Sequence, residues 1–144
     1  MYMNKVLVIL SVALLLFSCN KNQSAVKKLD GTWKATKYKV TEDGVSADLI
    51  ATGWINSLTA IFDGCKLKED EFCNVTTTVD TDFGNETDTG LYTVVSDGTE
   101  LQMKDDPSST TIHTIEIVEL TKTTLKTKDT DEEGTVTEVT YEKQ

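Results

Sequence analysis

Arginine is absent from this chain, and proline and histidine occur once each, as Pro107 and His113. Without a guanidinium there is no planar, two-pronged grip for phosphate. All 14 basic residues are lysines, set against 24 acidic ones, for a formal net charge of −10. Such a surface repels nucleic acid and attracts cationic partners. The lone histidine lies between Ile112 and Ile115 with no serine or cysteine motif to pair with, so nothing supports a catalytic nucleophile and base. Cysteine is scarce too: Cys19, Cys65 and Cys73. Two sulfurs and one distant histidine do not complete the four-ligand shell of zinc. The chain is therefore read as a protein without enzymatic activity, cofactor or metal. Long apolar runs are also missing. The longest, residues 6–17, has 12 residues broken only by Ser11, about 18 Å of helix against a hydrocarbon core of ~30 Å.

That short run has a telling exit. Lys5 precedes it and Leu16-Phe17-Ser18-Cys19 closes it, the pattern of a bacterial lipoprotein signal, or lipobox. The expectation is that residues 1–18 are removed and that Cys19 becomes the acylated first residue. More than one acyl chain then fastens the protein to a membrane, each buried CH₂ contributing ~0.8 kcal/mol. Asn20 stands where retention at the inner membrane calls for aspartate, which favours the outer membrane of the cell envelope. Residues 19–28 are polar and aperiodic and read as a lipidated flexible tether. Residues 29–144 remain as one domain with a modest core, expected to be monomeric. In an oxidising compartment Cys65 and Cys73 are expected to pair, a link that stabilises by about 2.5 kcal/mol on the chain-entropy account.

From residue 32 the chain is rich in threonine, valine and isoleucine, which suit a half-buried pleated surface. Strands are expected over 32–41, 71–79, 91–95, 101–103, 110–120, 123–128 and 135–141, separated by turn signals such as Ser96-Asp97-Gly98. One stretch departs from this rhythm. Over 48–62, Ile50, Trp54, Leu58 and Ile61 recur at helical spacing, with Asp48 to cap the start and Asp63-Gly64 to end it. Gly53 weighs against a helix there, and a strand over 58–62 is the competing reading. Cys65 would follow such a helix directly, so the disulfide would pin the helix end to the next strand. Seven strand candidates with no intervening helices after the first connection make an antiparallel meander, and closing it into an up-and-down barrel removes exposed edges. An eighth strand would be hidden in a long bent one.

Gly31-Thr32-Trp33 on the first strand resembles the Gly-x-Trp signature that opens lipocalins. The meander running through Ile117-Val118-Glu119-Leu120-Thr121 and Leu125 to Tyr141 is similar to that of small lipocalin-like bacterial lipoproteins. The resemblance implies a mainly β fold: an antiparallel lipocalin-like barrel of seven or eight strands with one helix after the first strand. In lipocalins an arginine late in the chain packs across the signature tryptophan. This chain has none, so that end of the barrel must close differently.

Lipocalin-like proteins include binders, inhibitors and proteins of no assigned role, so the fold leaves two functions open. One is a membrane-anchored, non-enzymatic module for a small hydrophobic or sugar-like ligand, with Trp33, Trp54 and Tyr92 as candidate contacts and Phe83 as a further aromatic. The other is a protein-interaction module or inhibitor whose acidic face meets a cationic protein. The alternation of valine or leucine with threonine leaves little inward volume, so a filled interior is expected. Two acidic stretches, 80–88 and 129–134, carry oxygens in the manner of calcium loops. Thr140 stands where the closing glutamate of such a loop belongs, and solvated hairpin tips are the simpler reading.

Overall fold

The computed structural model describes residues 21–67 and 71–144. The signal segment 1–18, the lipidation site Cys19 and Asn20 lie outside the described residues. The described residues open with helix α1 (Lys21–Leu29) and continue as β1 (Gly31–Glu42), β2 (Val45–Asp48), β3 (Ser57–Phe62), β4 (Cys73–Thr81), β5 (Gly84–Val95), β6 (Glu100–Lys104), β7 (His113–Leu120), β8 (Thr124–Thr130) and β9 (Val136–Lys143). All pairings are antiparallel: β1 pairs with both β2 and β3, each strand from β3 onward pairs with the next in the chain, and β9 returns to pair with β1. The sheet is therefore a closed barrel. Strands β2 and β3 pair with opposite ends of β1 on the same edge, so they act as one interrupted stave and the barrel has eight.

That stave occupies the segment expected to be helical. Asp48 does gather backbone donors, its Oδ1 accepting from Ile50 and Ala51 at 3.1 and 3.2 Å, and one turn forms as the Thr52 N–H donates to the Asp48 carbonyl at 2.9 Å. At Gly53 the backbone swings to a φ of +79°, which ends any helix. Leu58, Ala60 and Phe62 then alternate inward along β3. Leu58 and Phe62 are four apart and satisfy both periods. Small Ala60 between them is what hid the strand.

Among the described residues the α-helix precedes the first strand. It takes up residues 21–28 of the stretch read as a flexible tether. Ala25, Val26 and Leu29 form its buried stripe, and they close one end of the barrel over Trp33, Tyr92, Val94 and Leu125. The Trp33 indole donates to the Leu29 carbonyl at 2.6 Å. Lys143 lies with its ammonium 5.2 Å from the Trp33 ring centroid and donates to the Lys28 carbonyl at 2.9 Å. A late lysine thus packs across the tryptophan where the lipocalin resemblance implies an arginine. Cys65 and Cys73 form a disulfide across Cα atoms 5.6 Å apart. It ties the β3–β4 connection to the start of β4, with no helix end involved. Gln23 of α1 holds that connection, donating to the Cys65 carbonyl at 2.8 Å and accepting from the Leu67 N–H at 2.7 Å.

Two register shifts decide which side chains turn inward. Between Ala35 and Lys37 the β1–β9 pairing slips by one residue. The odd-numbered inward series Trp33, Ala35 passes to Tyr38 as a result, which is what a β-bulge does to the strand beyond it. Between Ile117 and Glu119 the β7–β8 pairing slips likewise, leaving Val118 exposed and returning Leu120 to face Leu125. Among the described residues no helix is long and apolar enough to cross a membrane.

Candidate functional site

The barrel is filled at the helix end and hollow at the other. A cavity of about 280 Å³ lies inside it, lined by Leu58, Ala60 and Phe62 of β3, Thr77 and Val79 of β4, Leu101 and Met103 of β6, Ile115 of β7, Leu125, Thr127 and Asp129 of β8, Thr137, Val139 and Tyr141 of β9, and Tyr38 of β1. The expected filled interior is corrected on this point. Half of the interior is filled, by one indole, one phenol and the helix stripe, while short valine and alanine side chains leave the rest open. The volume is near the lower end of ordinary small-molecule sites, ~300–1,000 Å³.

Most of the wall is apolar, and the polar groups cluster. Strand alternation places Leu125, Thr127 and Asp129 in one inward row on β8, with Tyr141, Val139 and Thr137 beside them on β9. Tyr38 joins them through the bulge. Burial pushes the Tyr141 phenol well above its ordinary range, and the neighbouring Tyr38 adds to this. Tyr38 is raised first by burial and second by the carboxylate of Asp129. Both phenols are therefore neutral O–H groups at physiological pH, able to donate and to accept. No described residue hydrogen-bonds to either hydroxyl. Asp129 accepts at Oδ2 from His113 Nε2 at 2.8 Å, and its Oδ1 has no hydrogen-bond partner among the described residues.

Two of the three aromatic residues read as ligand contacts lie beneath this cavity instead of on its wall. Trp33 and Tyr92 have no exposed surface, and the Tyr92 hydroxyl donates to the Asp63 carbonyl at 3.0 Å while its ring meets Phe62 edge-on at 5.0 Å. They form the packed floor. Trp54 sits in the loop between β2 and β3 at the open end, 68% exposed, beside Phe83 at the β4–β5 turn, 92% exposed, and the two share a shallow dent with Asp82. Cys65 and Cys73 are bonded to each other, so neither is a nucleophile.

The acidic stretches resolve into turn chemistry. Asp131 Oδ1 accepts from the Glu133 and Thr135 N–H groups at 2.9 and 2.8 Å, which folds the β8–β9 turn. The 80–88 stretch is mostly strand, with its turn only at Asp82 and Phe83. Among the described residues no three His, Cys, Asp or Glu side chains gather as a metal site.

No protein-family model matches the chain, and no curated protein does. Solved structures do match. A siderocalin, Ex-FABP, described as functioning through dual ligand specificities, superposes with a TM-score of 0.53 at 11% identity over 81% of this chain and 74% of its own. A redesigned β-barrel superposes with a TM-score of 0.51 at 16% identity over 83% of this chain and 95% of its own. At these identities the likeness concerns the fold alone: a closed, antiparallel, lipocalin-like barrel.

Proposed function

We propose that this chain is a lipid-anchored protein of the cell envelope, fastened through Cys19 to the outer membrane, whose barrel binds a small, mainly apolar molecule without transforming it. The observation that carries the binding role is the hollow: a lipocalin-like barrel plugged at one end and hollow at the other around an apolar cavity of about 280 Å³. Mostly apolar walls with a few convergent polar groups are what a small-molecule site requires. The anchor rests on the lipobox alone, and Cys19→Ala tests it. Loss of labelled palmitate from that variant supports the anchor, and unchanged incorporation removes it.

Binding is tested by calorimetric titration of the full-length protein with 1-octanol, an uncharged amphiphile of suitable size. Saturable binding at one site is expected, abolished in Ala60→Phe, which places a ring in the cavity. The same heat in both proteins would place octanol elsewhere and defeat the reading. One observation favours the second reading, a cationic protein as partner. Trp54 and Phe83 are exposed together beside Asp82 at the open end, an aromatic pair with an acidic neighbour. Binding of a basic protein that weakens with salt and with Trp54→Ala would support it.

A further inference from the structure

The charge on the cavity wall has one sign. Among the described residues Asp129 is the only charged side chain that lines it, and the wall dent that shares Thr77 and Met103 with it adds Asp88, Asp105, His113 and Lys104. Lysines are close by but turned away or engaged. Lys104, at that dent, lies with its ammonium 4.5 Å from the Phe72 ring centroid and donates to the Pro107 carbonyl at 3.2 Å. Lys39 bonds Glu138 at 2.7 Å, and Lys128 and Lys37 lie near the same carboxylate outside the barrel, holding it below the usual range.

From this the geometry points to a guest whose polar head is a cationic nitrogen: the cavity takes a small primary amine with an apolar body, in preference to a fatty acid or alcohol of the same length. An ammonium has three donors and no acceptor. The free Oδ1 of Asp129 and the unpartnered hydroxyl oxygens of Tyr38 and Tyr141 are acceptors, and the two rings offer π faces to a cation. A carboxylate head would meet Asp129 as a like charge, with no lysine among the described residues lining the cavity. At ~30 Å³ per water the cavity is worth about nine waters, room for roughly ten non-hydrogen atoms. Thr127 and Thr137 complete the polar wall beside Asp129, while Leu58 and Phe62 receive the chain. His113 lies 2.8 Å from Asp129 Oδ2 through Nε2 and orients the carboxylate, leaving Oδ1 turned to the cavity's guest. Asp129 is thus the specificity-determining residue of the site, and this assignment rests on the small-molecule reading above.

The test titrates octylamine, 1-octanol and octanoate into the full-length protein at neutral pH and low salt. Octylamine is expected to bind at least about tenfold more tightly than octanol, a charge-assisted hydrogen bond being worth that much, with octanoate weakest. Asp129→Asn should bring octylamine to the level of octanol. Because the protein carries a net charge of −10, an amine also adsorbs to its exterior. Ala60→Phe leaves that charge intact and must abolish the single-site component. Equal affinity for the three probes, or preference for octanoate, overturns the amine assignment while leaving the binding role standing. Failure of all three to bind removes both. The comparison of probes needs no variant, so a misfolded Asp129→Asn would not shield the inference.

Discussion

At the closed end of the barrel Trp33, Tyr92 and Leu29 have no exposed surface, whereas at the open end Trp54 and Phe83 are 68% and 92% exposed. The same residue types serve opposite purposes. Below, each ring has a polar partner: the indole bonds Leu29, the phenol bonds Asp63, and Lys143 covers the tryptophan face. The disulfide and the Gln23 clasp lie at that end as well. Above, the phenols of Tyr38 and Tyr141 have no such partner, and the loops hold themselves by local turns. Polar anchoring is concentrated in the plug, and the far end is left open to solvent, as loops on a rigid scaffold commonly are.

Substitutions can break this contrast, and the largest effect is expected at the floor. Trp33→Ala removes a fully buried ring and its hydrogen bond and should cost about 3–5 kcal/mol, read as a lower urea midpoint. Reducing the Cys65–Cys73 bond should cost about 2.5 kcal/mol by closing no loop in the unfolded chain, measurable by denaturation with and without reductant.

A paired tyrosine test sharpens the comparison. Tyr92→Phe leaves the Asp63 carbonyl without its donor and should cost about 1 kcal/mol at neutral pH. Tyr141→Phe, losing no such bond, should change stability by less than ~0.5 kcal/mol. Both phenols are pushed up from their ordinary value chiefly by burial. Folding therefore holds their protons where the unfolded chain releases them, and their contribution is complete below about pH 10 and lost as pH climbs above it. Each Phe variant should show a shallower alkaline decline than the parent. The smallest effect belongs to Trp54→Ala, within ~0.5 kcal/mol. A larger loss there would show that the open end carries stability after all.

Much of the meander was legible because its strands follow the two-residue period and its turns carry Asp-Gly or Ser-Asp-Gly. The interrupted stave was not, since Leu58 and Phe62 fit either period and Asp48 caps a single turn as readily as a helix. α1 was missed because its buried stripe is only Ala25, Val26 and Leu29 within nine mostly polar residues. The cavity was half visible. The row Leu125, Thr127, Asp129 alternates openly in the sequence, but Tyr38 reaches the interior through a bulge at Thr36, and no local pattern announces a bulge. Trp33 and Tyr92 drew attention as aromatics. Their chemistry is the same in a floor as in a ligand wall, and only the helix packed over them distinguishes the two.

The pairing of β1 with β9 has a kinetic corollary. β1 is made early and its outer edge has no partner until residues 136–143 emerge. Contacts that span nearly the whole domain slow folding, and an open β edge meanwhile invites association with other chains. Such a chain commits to its native topology late, only after its final strand is free to swing home.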